Sequence, residues 1–251
     1  MKNLTLLVVA LLLAGPIFAQ PGLELTAGYT PGMSFVLNDD DFAAGEELNY
    51  QVTYGSHVGL TVGFNFSEKV GVTTGFGLAS INQNYVTAYD GRTRDEQNTF
   101  NRRTTYIRIP LMVRIGGDPT APSSAFFRFG PHLDLLAGAM GNYDTRVPIV
   151  GNRVQTSENF RNYRTIFSTE DEEIYQGVTI GLTMEVGGRI RISDVMGVLL
   201  LFHLESSLTN PEGEDAWKAP GFESNSANER AQSWNVMPGI NVSFQYVLNF
   251  D

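Results

Sequence analysis

The chain has 251 residues and no cysteine, which excludes disulfides and thiolate metal sites. Its formal charge is -10 and its pI is about 4.8, which argues against nucleic acid as a partner, because binding to phosphates requires a basic surface. No stretch after residue 22 is long and apolar enough for a transmembrane helix, but a membrane-spanning strand needs only about 9 to 11 residues.

The N-terminal segment carries Lys2, continues as an apolar run over residues 4–13 and reaches a small residue at Ala19. This order is typical of a secretory signal peptide. The run is shorter than the roughly 20 apolar residues of a membrane anchor helix. We therefore expect residues 1–19 to be removed on export and residues 20–251 to form one mature domain.

Alternation of apolar and polar residues with period two is the dominant pattern after residue 22. It recurs in segments separated by clusters of Gly, Pro, Asn and Asp, which are typical of strand ends. We predict eight strands, at about Leu23–Val36, Gly55–Phe66, Val70–Asn82, Arg103–Ile115, Ala125–Met140, Gly177–Ile192, Val195–Thr209 and Ser233–Phe250.

Short and long connections alternate between these strands. The long ones are Leu37–Tyr54, Gln83–Arg102, Gly141–Gln176 and Asn210–Gln232. In an up-and-down barrel, alternate connections lie at opposite ends, and short turns on one rim with long loops on the other are the outer-membrane arrangement. The prediction is an all-β fold: an eight-stranded antiparallel up-and-down transmembrane β-barrel with short periplasmic turns and long extracellular loops.

The residue types indicate which face of the barrel meets lipid. A soluble barrel turns its apolar face inward, but here the polar phase is also the glycine phase. It contains Gly28, Gly59, Gly63, Gly71, Gly75, Gly77, Gly130, Gly138, Gly181, Gly187, Gly197 and Gly239. Glycines leave room for long side chains inside a narrow barrel. The aliphatic phase is therefore predicted to face outward, into hydrocarbon.

Two strand motifs carry a resemblance to a known family. They are Tyr106–Leu111 (YIRIPL) and, after a short turn, Phe129–Leu133 (FGPHL). With the order of strands and loops over nearly the whole mature chain, they resemble the PorT-like outer-membrane β-barrel domain proteins of Bacteroidota. The resemblance implies a component of a secretion or envelope-assembly apparatus.

Charged and histidine side chains recur in the predicted inward phase. They are Glu24, Arg108, Arg114, Arg128, His132, Asp134, Glu185, Arg189, Arg191, His203 and Glu205. Side chains fill the interior of an eight-stranded barrel, and charges removed from water need partners. We expect an internal ion-pair network that plugs the lumen; the alternative is that these residues line a conducting or binding channel.

Catalysis is the weaker interpretation of the histidines. His132 lies two residues before Asp134, and His203 two before Glu205, in the manner of the carboxylate–imidazole pairs of hydrolases. Neither pair comes with a nucleophile motif such as Gly-x-Ser-x-Gly. We predict no enzyme, no cofactor and no metal; for a hydrolase or acyltransferase at the rim, His57 is the residue to examine.

The long loops contain three clusters of polar residues. Two are acidic, at residues 38–41 with Glu46 and Glu47, and at residues 170–173. Neither has the spacing of a calcium-binding loop, so a solvated acidic surface is expected. In the third, Arg153, Arg161 and Arg164 alternate with Phe160, Tyr163 and Phe167, which suggests a site for a glycan or an anionic lipid head group.

These features predict a non-enzymatic surface or assembly protein. Its loops would contact outer-membrane lipid, lipopolysaccharide, another envelope protein or a surface glycan, because recognition usually lies on long loops carried by a rigid scaffold. A secretion component, a narrow pore and a rim-located hydrolase remain the alternatives.

Overall fold

The computed structural model describes residues 22–43, 49–88, 97–118, 121–149, 152–168, 173–218 and 231–249. The strands are β1 (Gly22–Asn38), β2 (Asn49–Gln51), β3 (Thr53–Asn65), β4 (Val70–Ala88), β5 (Gln97–Gly116), β6 (Ser123–Ile149), β7 (Asn152–Asn162), β8 (Val178–Arg191), β9 (Met196–Ser207) and β10 (Ser233–Asn249). A short helix α1 (Asp39–Ala43) follows β1, and a 3-10 turn lies at Ala216–Lys218. Among the described residues, no helix is both long and apolar enough to cross a membrane.

Eight of the strands close into an antiparallel barrel, in the order β1, β3, β4, β5, β6, β8, β9 and β10. The barrel closes because β10 pairs with β1 from Gly22 opposite Asn249 to Asn38 opposite Ser233. The predicted eight-stranded antiparallel barrel is confirmed. The predicted signal peptide, residues 1–19, lies outside the described residues.

The barrel wall continues beyond the predicted strand ends on the long-loop side. β4 and β5 stay paired up to Ala88 opposite Gln97, and β6 runs on to Ile149, where β7 pairs with it. Much of two predicted loops is therefore strand. The fifth strand was predicted to end at Met140, but Gly141 beyond it pairs regularly with Arg102 of β5.

The predicted inward and outward faces match the observed burial. On β8, Ile180 and Leu182 are 46% and 41% exposed, whereas Thr183 and Glu185 are 3% and 4% exposed. The same alternation holds on β10, where Val242 and Phe244 are exposed and Ser243 is buried. The barrel therefore has an apolar outer belt and a polar interior, as a transmembrane barrel requires.

Gly138 is an exception to the predicted glycine phase. β5 and β6 slip by one residue where Tyr106 pairs with Leu136 but Thr105 pairs with Gly138. This bulge at Ala137 inverts the phase of the strand, so that Ala139 is buried in the interior. Gly138 therefore belongs to the outward phase, and the prediction for it was wrong, because a bulge cannot be recognised from strict alternation.

Apolar side chains fill the interior at the long-loop end. This aromatic cap consists of Val36, Ile81, Tyr85, Phe100, Tyr106, Leu136, Ala139, Tyr163, Ile174 and Tyr175. Three of its members, Tyr163, Ile174 and Tyr175, come from the connection between β7 and β8, which the sequence assigned to a long extracellular loop. The cap covers the polar interior that lies below it.

Candidate functional site

Ten of the eleven predicted inward residues are buried in the lumen. The exception is Arg191, which is exposed. Its phase on β8 is that of the buried Arg189, but β8 ends at Arg191. Its side chain therefore lies at the short-turn rim, and the inward prediction for it does not hold.

Arg108 is the centre of a buried ion-pair network in the middle of the lumen. Its Nε and Nη2 donate to the two carboxylate oxygens of Asp134 at 2.7 and 2.6 Å, across the β5–β6 ladder that places the two residues opposite each other. Its Nη1 donates to Glu205 on β9. One guanidinium on β5 thus joins carboxylates of β6 and β9, which matches its planar set of donors.

His203 extends this network to a second arginine. Its Nε2 lies 2.8 Å from Glu205 and its Nδ1 lies 3.0 Å from Glu185, which pairs with Arg128 at 2.8 Å. Because both ring nitrogens face carboxylates, both donate, and His203 is an imidazolium. We call the chain Asp134, Arg108, Glu205, His203, Glu185 and Arg128 the lumen network; its three positive and three negative charges cancel.

His132 lies between one end of the lumen network and the hydroxyl group of Thr183. Its Nδ1 is hydrogen-bonded to Thr183 at 2.8 Å, and its Nε2 lies 3.5 Å from Asp134. This is the carboxylate–imidazole–hydroxyl order of hydrolases. All three side chains are buried, however, and Asp134 is held by Arg108, so a substrate has no approach to the hydroxyl in this conformation.

At the short-turn end of the lumen, Arg114 has the predicted acidic partner, Glu24, whereas Arg189, for which an acid was also predicted, binds a backbone carbonyl. Arg114 donates to the carbonyl of Gly117 at 2.9 Å and lies 3.9 Å from Glu24, while Arg189 donates to the carbonyl of Ala121 at 3.1 Å. Both arginines lie at strand ends, where backbone carbonyls of the turn after β5 come within their reach.

Neutral side chains satisfy the carboxylate of Glu24. Asn65 and Gln245 donate to its two oxygens at 2.6 and 2.7 Å. Neither amide was predicted to bind Glu24, although both lie in the inward phase of their strands, which is the signal that could have marked them.

A second buried ion pair lies at the long-loop end, beside the aromatic cap. Arg102 donates to Glu212 at 2.6 Å, and its guanidinium lies 5.1 Å from the centre of the Tyr175 ring. Ser233 and Asn38 also donate to Glu212, at 2.7 and 3.4 Å. This pair was not predicted. Arg102 shares the phase of Arg108 but falls in a predicted loop, and Glu212 belongs to a segment without periodicity.

The sequence suggested that His57 lies at the rim, but the structure places it inside the lumen. Its ring centre is 6.1 Å from that of His203. β1 and β3 pair up to Ser34 opposite Thr53, so the wall continues above His57. The histidine lines a cavity of about 30 Å³, together with Thr61, Arg108, Arg128, Glu185, His203 and other residues.

The acidic cluster at residues 38–41 makes contacts between loops. Asp40 accepts a hydrogen bond from the backbone of Ala231 at 2.6 Å, and Tyr85 donates to Asp41 at 3.1 Å. Among the described residues, no group of three or more His, Asp and Glu side chains is arranged to hold a metal ion. Glu46, Glu47 and residues 170–172 lie outside the described residues.

The predicted cluster of arginines and aromatics is divided by the fold. Tyr163 is buried in the aromatic cap, where it packs edge to face on Tyr175, and Arg164 pairs with Glu173 at 3.2 Å. Phe167 is exposed. The side chains of Arg153, Phe160 and Arg161 lie outside the described part of the chain.

The chain is similar to several solved bacterial structures. The N-terminal β-barrel domain of OprF from Pseudomonas aeruginosa is 7% identical, with a TM-score of 0.35 over 91% of this chain and 98% of that chain. Ail from Yersinia pestis is 10% identical, with a TM-score of 0.36 over 92% and 100%. OprG from Pseudomonas aeruginosa is 12% identical, with a TM-score of 0.37 over 92% and 97%. No curated protein matches the chain, but the family model described as outer membrane protein beta-barrel domain matches residues 18–250.

Proposed function

The chain belongs to the outer membrane protein beta-barrel domain family, and from this premise we propose that it is a non-enzymatic anchor in the outer membrane with a closed lumen. Its long-loop end acts in surface interaction or envelope assembly. The partners we propose are outer-membrane lipid and lipopolysaccharide, with another envelope protein or a surface glycan bound by the loops. Residues 1–19 are the cleaved export signal.

The observation that carries this proposal is the filling of the lumen at two levels. The lumen network links strands β5, β6, β8 and β9 through buried ion pairs. Above it, the aromatic cap and the pair of Arg102 with Glu212 fill the long-loop end. Such packing supports a structural interior more than a conducting path, because an ion in transit would have to displace paired charges.

The long-loop end supports a role in binding. β4, β5, β6 and β7 continue there as one antiparallel ladder beyond the barrel, and contacts such as that of Asp40 with Ala231 join the first and fourth loops. A surface fixed in this way loses little conformational entropy on binding.

Two other functions, a secretion component and a hydrolase, can be tested by experiment. A role in a secretion apparatus, which the PorT-like resemblance implies, would appear as failed export of cargo after gene deletion. A hydrolase would require access to His132 or His57, and both now lie within the lumen.

Conductance in planar bilayers tests the closed lumen. The unmodified protein is expected to show no steady current, because an ion would have to pass both the lumen network and the filled long-loop end above it. A double variant, Arg102→Ala with Glu212→Ala, loses the upper ion pair but keeps the lumen network, so it is expected to stay closed as well. A stable, ion-selective current through the unmodified protein would overturn the proposal and favour the narrow pore.

A further inference from the structure

The cavity beside His57 lies within the barrel and is lined mainly by polar residues. Its volume is about 30 Å³. His57 and Thr61 of β3 line one part of it, and Arg128, Glu185 and His203 of the lumen network line another. A buried water needs roughly 10 to 15 Å³ of such volume, so the cavity has room for about two.

Three buried polar atoms, one each of His57, Thr61 and Arg128, have no hydrogen-bond partner within the described residues. They are Nε2 of His57, Oγ1 of Thr61 and Nε of Arg128. Arg128 is only 4% exposed, and its Nε is always a donor. An unsatisfied buried polar atom destabilises the fold, so three such atoms around one cavity require a shared partner.

We propose that this cavity is an internal hydration site whose waters accept the hydrogen bond of Arg128 Nε and bond to His57 and Thr61. These waters join β3 to the lumen network, which otherwise draws its members from β5, β6, β8 and β9. The site completes the hydrogen bonding of the interior across the barrel.

The charge balance of the lumen network favours water over an anion. Arg108, Arg128 and His203 are already balanced by Asp134, Glu185 and Glu205. A halide in the cavity would add an uncompensated charge to a low-dielectric interior, which is costly. A neutral molecule with both donors and acceptors fits without that cost.

Radiolytic footprinting of the folded protein in lipid or detergent tests the site. Irradiation splits bound water into hydroxyl radicals that oxidise adjacent methionines. Met112 lines the cavity, whereas Met237 is buried in the same lumen but is not among its lining residues. We expect Met112 to be oxidised several times faster than Met237, with the same rate in low and high chloride.

Variants connect the oxidation to the proposed ligands. Thr61→Val keeps the side-chain shape but removes a hydroxyl, and His57→Phe removes the ring nitrogens, so each is expected to slow oxidation of Met112. Thr73→Val, at another buried lumen threonine outside the cavity lining, is the matched control and is expected to leave the rate unchanged. Equal rates for the two methionines in the unmodified protein would overturn the proposal even where a variant fails to fold. So would a rate that falls with chloride, or one that neither variant changes.

Discussion

Arg108 donates to Asp134 and Glu205 at once, and both carboxylates are buried with it. A charge left without its partner in such an interior loses its hydration and gains nothing in return. His203 depends on the same arrangement, since its two carboxylate contacts are what hold it as a cation. Each member of the lumen network is therefore stabilised by its neighbours more than by solvent.

Removal of the central cation tests this dependence. Arg108→Met is expected to lower the free energy of unfolding by about 3 to 5 kcal/mol, because it leaves two buried carboxylates with one partner fewer. Urea titration of the protein in lipid vesicles measures the change. Arg103→Met on the exposed face of the same strand is the control, expected within about 0.5 kcal/mol of the unmodified protein. A cost below that of the control would show that Arg108 is not held by these pairs.

In strand β6, the bulge determines whether a glycine position has room for a side chain. Before the bulge at Ala137, a Cβ on Gly130 would overlap the carbonyl oxygen of Leu111 on β5. After the bulge, a Cβ on Gly138 would lie 3.7 Å from the Thr105 side chain, an ordinary van der Waals contact. Two glycines of the same apparent phase thus have opposite tolerance for a side chain.

Alanine at the two positions of β6 should separate them. Gly130→Ala is expected to cost about 1 to 3 kcal/mol, as overpacking does. Gly138→Ala is expected to be neutral or to stabilise by up to about 1 kcal/mol, because it restricts the unfolded chain. Unfolding midpoints of both variants in one lipid decide the point. A tolerated Gly130→Ala together with a damaging Gly138→Ala would mean that the bulge is misplaced.

Strand β8 tests which face meets hydrocarbon. Leu182 and Ile192 share the outward phase, but Leu182 lies within the strand and Ile192 beyond its end at the short-turn rim. Leu182→Arg is expected to cost about 2 to 4 kcal/mol if it lies near the midplane, and Ile192→Arg about 0 to 1 kcal/mol near the interface. Folding titrations into vesicles measure both. Equal and small costs would contradict a lipid-facing β8.

At the scale of the whole molecule, the two ends of the barrel differ. The short-turn end is held by arginines that bind turn carbonyls, whereas the long-loop end is filled by the aromatic cap and extended by paired strands. This polarity favours the long-loop end as the side that meets partners, because it presents the larger ordered surface outside the apolar belt.

A shortened hairpin tests the binding role of that end. Asp144 and Ser157 are paired on β6 and β7, so residues 145–156 can be replaced by a two-residue turn that preserves the register below. We expect the variant to fold as stably as the unmodified protein but to lose partners from cross-linked outer membranes. An unchanged set of partners would place recognition elsewhere. A matched variant with the short turn at residues 67–69 replaced by another short turn is expected to keep every partner.

The sequence by itself determined the number of barrel strands, their antiparallel order and the face each one turns to lipid. These properties depend on period-two alternation, turn chemistry and connection length, all of which act over a few neighbouring residues. The inward phase of residues such as Arg108, Glu185 and His203 followed from the same local pattern.

Only the tertiary structure decided which charges meet, where the β6 bulge lies and how the long-loop end is filled. Arg108 and Glu205 are 97 residues apart, and Arg102 and Glu212 are 110 apart. Such pairs depend on strand register around the closed barrel. Alternation determines whether a side chain faces inward or outward, but not which residue lies opposite it. The cap residue Tyr175 and Glu212 come from loop segments whose burial depends on that closure, so no local pattern marked them.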